Sequence, residues 1–109
     1  MATFTVRVEL FGKAEEDDYD KLHEKMQAKK FFRVAKAKSG TWYHLPSAIY
    51  DHTAKSSSSV VRAQVWAIAK AVWKDPGILV VEGGSVSWKG LRKATASEVK
   101  ELTSIPKQD

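Results

Sequence analysis

The chain has 109 residues, with 18 lysines and arginines against 13 acids, a net charge of +5 and no cysteine. That length supports one domain with a single core, and the missing cysteine excludes a disulfide framework, a thiolate metal site and a thiol nucleophile. No apolar run approaches the roughly 20 residues of a membrane-spanning helix, and no basic-then-apolar leader precedes the first strand pattern, so the expected setting is the cytoplasm.

The first expected element is a strand over 3–10. Phe4, Val6, Val8 and Leu10 face one way, and Thr3, Thr5, Arg7 and Glu9 the other. Such alternation marks a strand with one buried face. Gly12 ends it. An amphipathic helix is expected over 17–28, with Tyr19, Leu22 and Met26 as its core stripe. Two aromatic strands follow at 31–37 and 41–45, joined by a Lys38-Ser39-Gly40 turn. Pro46 closes the second, because proline donates nothing to a sheet ladder.

The serine run 56–59 supplies a cap for an apolar helix over 60–73, with Val61, Val65, Ile68 and Val72 as its tightest stripe. Asp75-Pro76-Gly77 stops that helix, and a buried strand is expected at 78–82. Gly83-Gly84 suits a hairpin turn into a fifth strand at 85–88. Thr95 with Glu98 is a capping-box pattern for a last short helix, with Val99 and Leu102 on its apolar side. The order is that of an α+β fold, a ferredoxin-like βαββαβ sandwich with an added C-terminal hairpin strand and short helix. One domain over 1–109 is expected, its core at about 3–82 and an extension from 83. Such a sandwich leaves one sheet face open, and the fold alone does not choose its partner.

Candidate sites come from particular residues. The stretch 29–43 interleaves aromatic rings with Lys29, Lys30, Arg33, Lys36 and Lys38. RNA-binding sheets offer rings for bases and cations for phosphates. With the first and third strands adjacent, Arg7 and Arg33 would share the open face with either Trp42 and His44, or Thr41 and Tyr43. The competing reading packs the rings in the core and leaves the lysines solvated. The aromatic-glycine signature of an RNA recognition motif is absent. Cleavage of RNA without a metal needs a proton acceptor and a cation at the phosphate. His44 with Arg7 or Arg33 would supply both, against a purely structural histidine. His23, beside Leu22, reads as boundary packing.

The acids 15–18 and Asp20 would either hold a divalent cation or complement a helix dipole. They lack calcium-loop spacing, so the dipole is the simpler account. No phosphate-loop, dinucleotide or serine-hydrolase fingerprint is present, and no cofactor or metal is expected. Trp66 and Trp73 lie a heptad apart. They form either a homodimer interface or packing against the C-terminal elements.

Several of these segments also resemble a bacterial family. They are Val6-Arg7-Val8, the run 18–26, Phe31 or Phe32, Tyr43-His44-Leu45-Pro46, Ala48-Ile49-Tyr50, and 78–82. Together they resemble the GhoS-like family over about residues 3–82; the tail from Gly83 lies outside the likeness. The resemblance implies a ferredoxin-like fold and an endoribonuclease antitoxin of a type V toxin–antitoxin system, cleaving the messenger RNA of a small membrane toxin. Arg7 and the run 43–46 both match the family and suit that chemistry. The expected partners are single-stranded RNA and a second copy of the chain, with no membrane. The alternative is a non-catalytic homodimeric interaction module.

Overall fold

Strict alternation in the first strand organises the structure. In the computed structural model, which describes residues 1–83 and 86–105, β1 (Ala2–Leu10) buries Phe4, Val6, Val8 and Leu10. Then come α1 (Glu16–Ala28), β2 (Val34–Lys36), β3 (Trp42–His44), β4 (Ile49–Ala54), α2 (Ser58–Val72), β5 (Pro76–Glu82) and α3 (Ala96–Thr103). The sheet is antiparallel in the order β4-β1-β5. Val6 is the meeting point, opposite Tyr50 on one side and Val80 on the other. Leu22 and Met26 of α1 and Val61, Val65 and Ala69 of α2 join the core of β1 with Phe31 and Tyr50. Both helices therefore cover one sheet face. This is an α+β domain of helices and antiparallel sheets.

The third strand expected from the sequence needs correction. The strand beside β1 is β4, which alternation did not reveal, and not the segment 41–45. β2 and β3 form a separate two-stranded hairpin, pairing Val34 with His44 and Lys36 with Trp42. Phe32 bridges back to Asp51, so the chain entering β2 touches the outer side of β4. His44 N donates to Arg92 O at 2.9 Å and Ala94 N to Trp42 O at 2.9 Å, so the C-terminal chain runs along β3. The expected fifth strand does not form over 86–88, where no ladder is present. Gly84, Ser85 and the tail 106–109 lie outside the described residues.

Local chemistry sets the helix ends. Glu16, Asp17 and Asp18 occupy the first turn of α1, where carboxylates complement the dipole. Asp18 also accepts a hydrogen bond from Glu15 N at 2.8 Å. The other end closes as a Schellman motif, with Phe31 N donating to Met26 O at 3.0 Å and Lys30 N to Gln27 O at 2.9 Å. Lys30 takes the left-handed position at φ 69°, usually held by glycine. Its carbonyl accepts from His52 Nδ1 at 2.9 Å, and the His52 ring stacks on Phe31 at 3.8 Å. Ser57 caps α2 through its hydroxyl, and Thr95 caps α3.

The Lys30 side chain is exposed, so glycine there should relieve backbone strain at little loss of packing. Lys30→Gly is expected to stabilise the fold by about 1 kcal/mol, read as a higher urea midpoint at unchanged slope. A lower midpoint would contradict the strain assignment.

Candidate nucleic-acid interface

The face of the sheet away from the helices carries Thr3, Thr5, Arg7 and Glu9 of β1. Cross-strand register adds Ile49, Asp51 and Thr53 of β4, and Leu79 and Val81 of β5. The β2–β3 hairpin and the segment 86–91 rise beside this face. Between them lies a groove of about 810 Å³, with Thr3, Thr5, Asp51 and Thr53 on its floor and Lys36, Lys38, Trp88 and Lys89 along its walls. Cross-strand partners share a face, so Ala35 and Tyr43 point one way and Val34 and His44 the other. Tyr43 meets Trp88 edge-on, with centroids 5.6 Å apart at 61°. That contact holds the groove's indole against the hairpin.

The expected site residues divide among different places. Lys38 lines the groove, Lys36 borders it from a strand position that alternates to the His44 side of the hairpin, and Tyr43 backs the wall. Arg7 stands on the open face, 62% exposed at its side chain and 3.8 Å from Glu9. His44 looks away from Tyr43 and meets Glu98 of α3, Nε2 to Oε2, at 3.1 Å. Glu98 Oε1 also accepts from Thr95 N at 2.9 Å. The Thr95 hydrogen bonds, followed by His44, hold the Glu98 carboxyl below its ordinary range. Trp42 lies opposite Lys36 on the His44 side of the hairpin. No hydrogen bond or ion pair among the described residues joins Arg7, Arg33 and His44. The reason is topological: β4, not β3, lies against β1.

Arg33 belongs to a second cavity of about 300 Å³ between α1 and α3, with His23 and Asp20. Its Nε is buried without a hydrogen-bond partner among the described residues. His23 is buried, not merely at the boundary, and its Nδ1 lies 2.6 Å from the Tyr50 hydroxyl. Burial, then the Arg33 charge, lowers His23 to about 4 against an opposing pull from Asp20. A neutral imidazole accepts the tyrosyl O–H; the reverse arrangement would leave that buried O–H without an acceptor. Burial raises Tyr50, with the nearby Tyr19 adding to the shift against Arg33.

Trp66 and Trp73 do not form one stripe. α2 ends at Val72, and Trp73 turns extended, donating Nε1–H to Phe11 O at 2.7 Å while packing on the core. Trp66 is 45% exposed, with the Lys70 ammonium 5.7 Å from its ring. Sequence reasoning missed Asp51, Trp88 and Lys89 as groove residues. The Trp88-Lys89 pair was the available signal, an aromatic beside a cation. Among the described residues no group of three or more His, Cys, Asp or Glu is placed to hold a metal ion. No described helix is long and apolar enough to cross a membrane.

Comparison with protein-family models, with curated proteins and with solved structures finds no match.

The His23 environment sets a pH dependence. Between its ordinary 6.5 and about 4 the unfolded chain takes up a proton on this ring and the folded chain does not. The unfolded state binds more protons in that window, so stability falls as pH falls. The urea midpoint is expected to drop between pH 6.5 and 4, and to drop less in His23→Asn. An equal drop in both proteins would rule out this ring as the cause.

Proposed function

We propose that this chain is a single-stranded RNA-binding protein of ferredoxin-like fold and GhoS-like type, acting as an antitoxin. The fold reading rests on the order β4-β1-β5 with the Phe32–Asp51 bridge beyond β4. Read this way, the β2–β3 hairpin is an elaboration of the outer strand. The observation that carries the RNA reading is the groove itself. Lys36, Lys38 and Lys89 stand with Trp88 beside an open sheet face. Cations for the backbone and a ring for stacking are what a single strand needs.

Within this reading, an endoribonuclease step falls to His44. Glu98 holds its Nε2 side, and its Nδ1 has no hydrogen-bond partner among the described residues. A carboxylate-oriented imidazole with one nitrogen free is arranged to move a proton. The RNA strand would then pass from the groove over the hairpin to its other face.

Replacing Lys36, Lys38 and Lys89 with alanine is expected to weaken binding of a single-stranded RNA pool and to lower the log–log salt slope by about 2. Anisotropy at several salt concentrations measures both, and an unchanged slope would exclude the groove. Incubation of the same pool with chelator tests the nuclease step. Discrete fragments that vanish in His44→Ala support it, whereas intact RNA that remains bound leaves a binding protein without cleavage.

A second reading, a homodimeric interaction module, is favoured by β5. That strand is an edge of the three-stranded sheet, and it exposes Leu79 at 61% and Val81 at 47%. A dimer in sedimentation equilibrium that dissociates in Leu79→Lys, with no RNA affinity at moderate salt, would favour it over the groove.

A further inference from the structure

The groove contains one acid among its lysines. Asp51 is the sole acidic residue lining it among the described residues. It lies on β4 opposite Thr5 of β1, on the open face. Its backbone is pinned on the other side too, with Asp51 N donating to Phe32 O at 2.7 Å and Phe32 N to Asp51 O at 2.9 Å. The Cα therefore sits between β1 on one side and the Phe32 bridge on the other. The side chain is half-buried and has no hydrogen-bond or ion-pair partner among the described residues.

An unpaired, desolvated carboxylate is costly to a fold, and such groups concentrate where a ligand supplies the missing partner. Burial holds the Asp51 carboxyl above its ordinary range, opposed by the His52 charge. The lysines in the walls suit phosphates, but a carboxylate on the floor repels them. Its matching ligand is a neutral group that donates hydrogen bonds. Among RNA bases, guanine presents two adjacent donors, N1–H and N2–H, spaced for the two oxygens of one carboxylate. Adenine and cytosine present one amino group on that edge, and uracil one imino group. Sequence-selective single-strand readers hydrogen-bond the exposed base edge while a ring stacks its face.

We infer that Asp51 is the base-reading residue of this groove, accepting both hydrogen bonds from the Watson–Crick edge of a guanine in single-stranded RNA. Lys36, Lys38 and Lys89 then hold the neighbouring phosphates, and Trp88 offers the stacking surface. This inference rests on the RNA-binding reading above and adds a specificity to it.

The test uses the whole protein and an oligouridylate of about a dozen nucleotides, alone or with one central guanine, adenine or cytosine. Anisotropy gives the four affinities for the wild type, Asp51→Asn and Asp51→Glu. The wild type is expected to favour the guanine oligomer over the plain one by about tenfold. Asp51→Asn should lose that preference and bind plain oligouridylate more tightly than the wild type does, because the charge that repels phosphate is gone. Asp51→Glu, which retains the carboxylate, should recover part of it. Melting of Asp51→Asn is expected at or above the wild-type temperature, because an unpaired, half-buried charge has been removed. Equal affinity of the wild type for all four oligomers would overturn the base-reading role and leave the groove intact. So would a guanine preference that survives in Asp51→Asn. Absence of binding to every oligomer would overturn the RNA reading itself, and this inference with it.

Discussion

The rest of the structure depends on β1 being paired along both edges and buried on one face only. Val6 lies between Tyr50 and Val80, and its side chain enters the core that both helices share. A slip of one residue would carry Phe4, Val6, Val8 and Leu10 to the open face and bring Arg7 and Glu9 inside. The register is therefore strongly determined. It also creates the groove, because what β1 does not bury becomes part of the groove floor. Thr3 and Thr5 are on that floor for the same reason that Phe4 and Val6 are in the core.

Two of the three histidines serve the fold. His23 is clamped to Tyr50 across the helix–sheet boundary. His52 stacks on Phe31 and ties down the turn after α1 through the Lys30 carbonyl. Each satisfies a buried polar group that would otherwise cost stability. His44 differs because its partner belongs to a distant part of the chain. Glu98 both caps α3 and meets His44, and the backbone of 92–94 lies along β3. The C-terminal segment is thus docked onto the hairpin, which is how Trp88 and Lys89 come to stand opposite the sheet.

The sequence made some of this legible and hid the rest for identifiable reasons. The apolar run of β5 suggests a buried strand, whereas the structure makes it an edge with Leu79 and Val81 exposed. β1, α1, α2 and α3 announce themselves by periodicity and caps, as Thr95 with Glu98 illustrates. β4 does not. Its inward positions are Tyr50 and His52, and a buried histidine reads as polar when its stacking partner is unknown. Missing β4 put the wrong strand beside β1. The expected meeting of His44 with Arg7 followed from that one error. Trp73 was hidden differently: its heptad spacing from Trp66 holds only if the helix continues, and α2 ends one residue earlier. The groove was illegible in principle, since its floor and walls come from four separated stretches. Lys36 and Lys38 were recognisable as cations, but no local pattern shows that they border the same groove as Trp88.

The distribution of charge gives the net excess of +5 a direction. Acids at the start of α1 serve the helix dipole, and α1 packs on the core face of the sheet. The lysine-lined groove opens on the opposite face. The sheet therefore separates the acidic start of α1 from a basic groove. A modest net charge arranged this way steers a polyanion better than the same charge spread evenly, because the start of α1 repels it and the groove attracts it. Attraction to phosphate carries no sequence information. A groove of lysines alone would accept any single strand. An acid on its floor opposes that general attraction, and under the RNA-binding proposal it supplies the selectivity that the lysines lack.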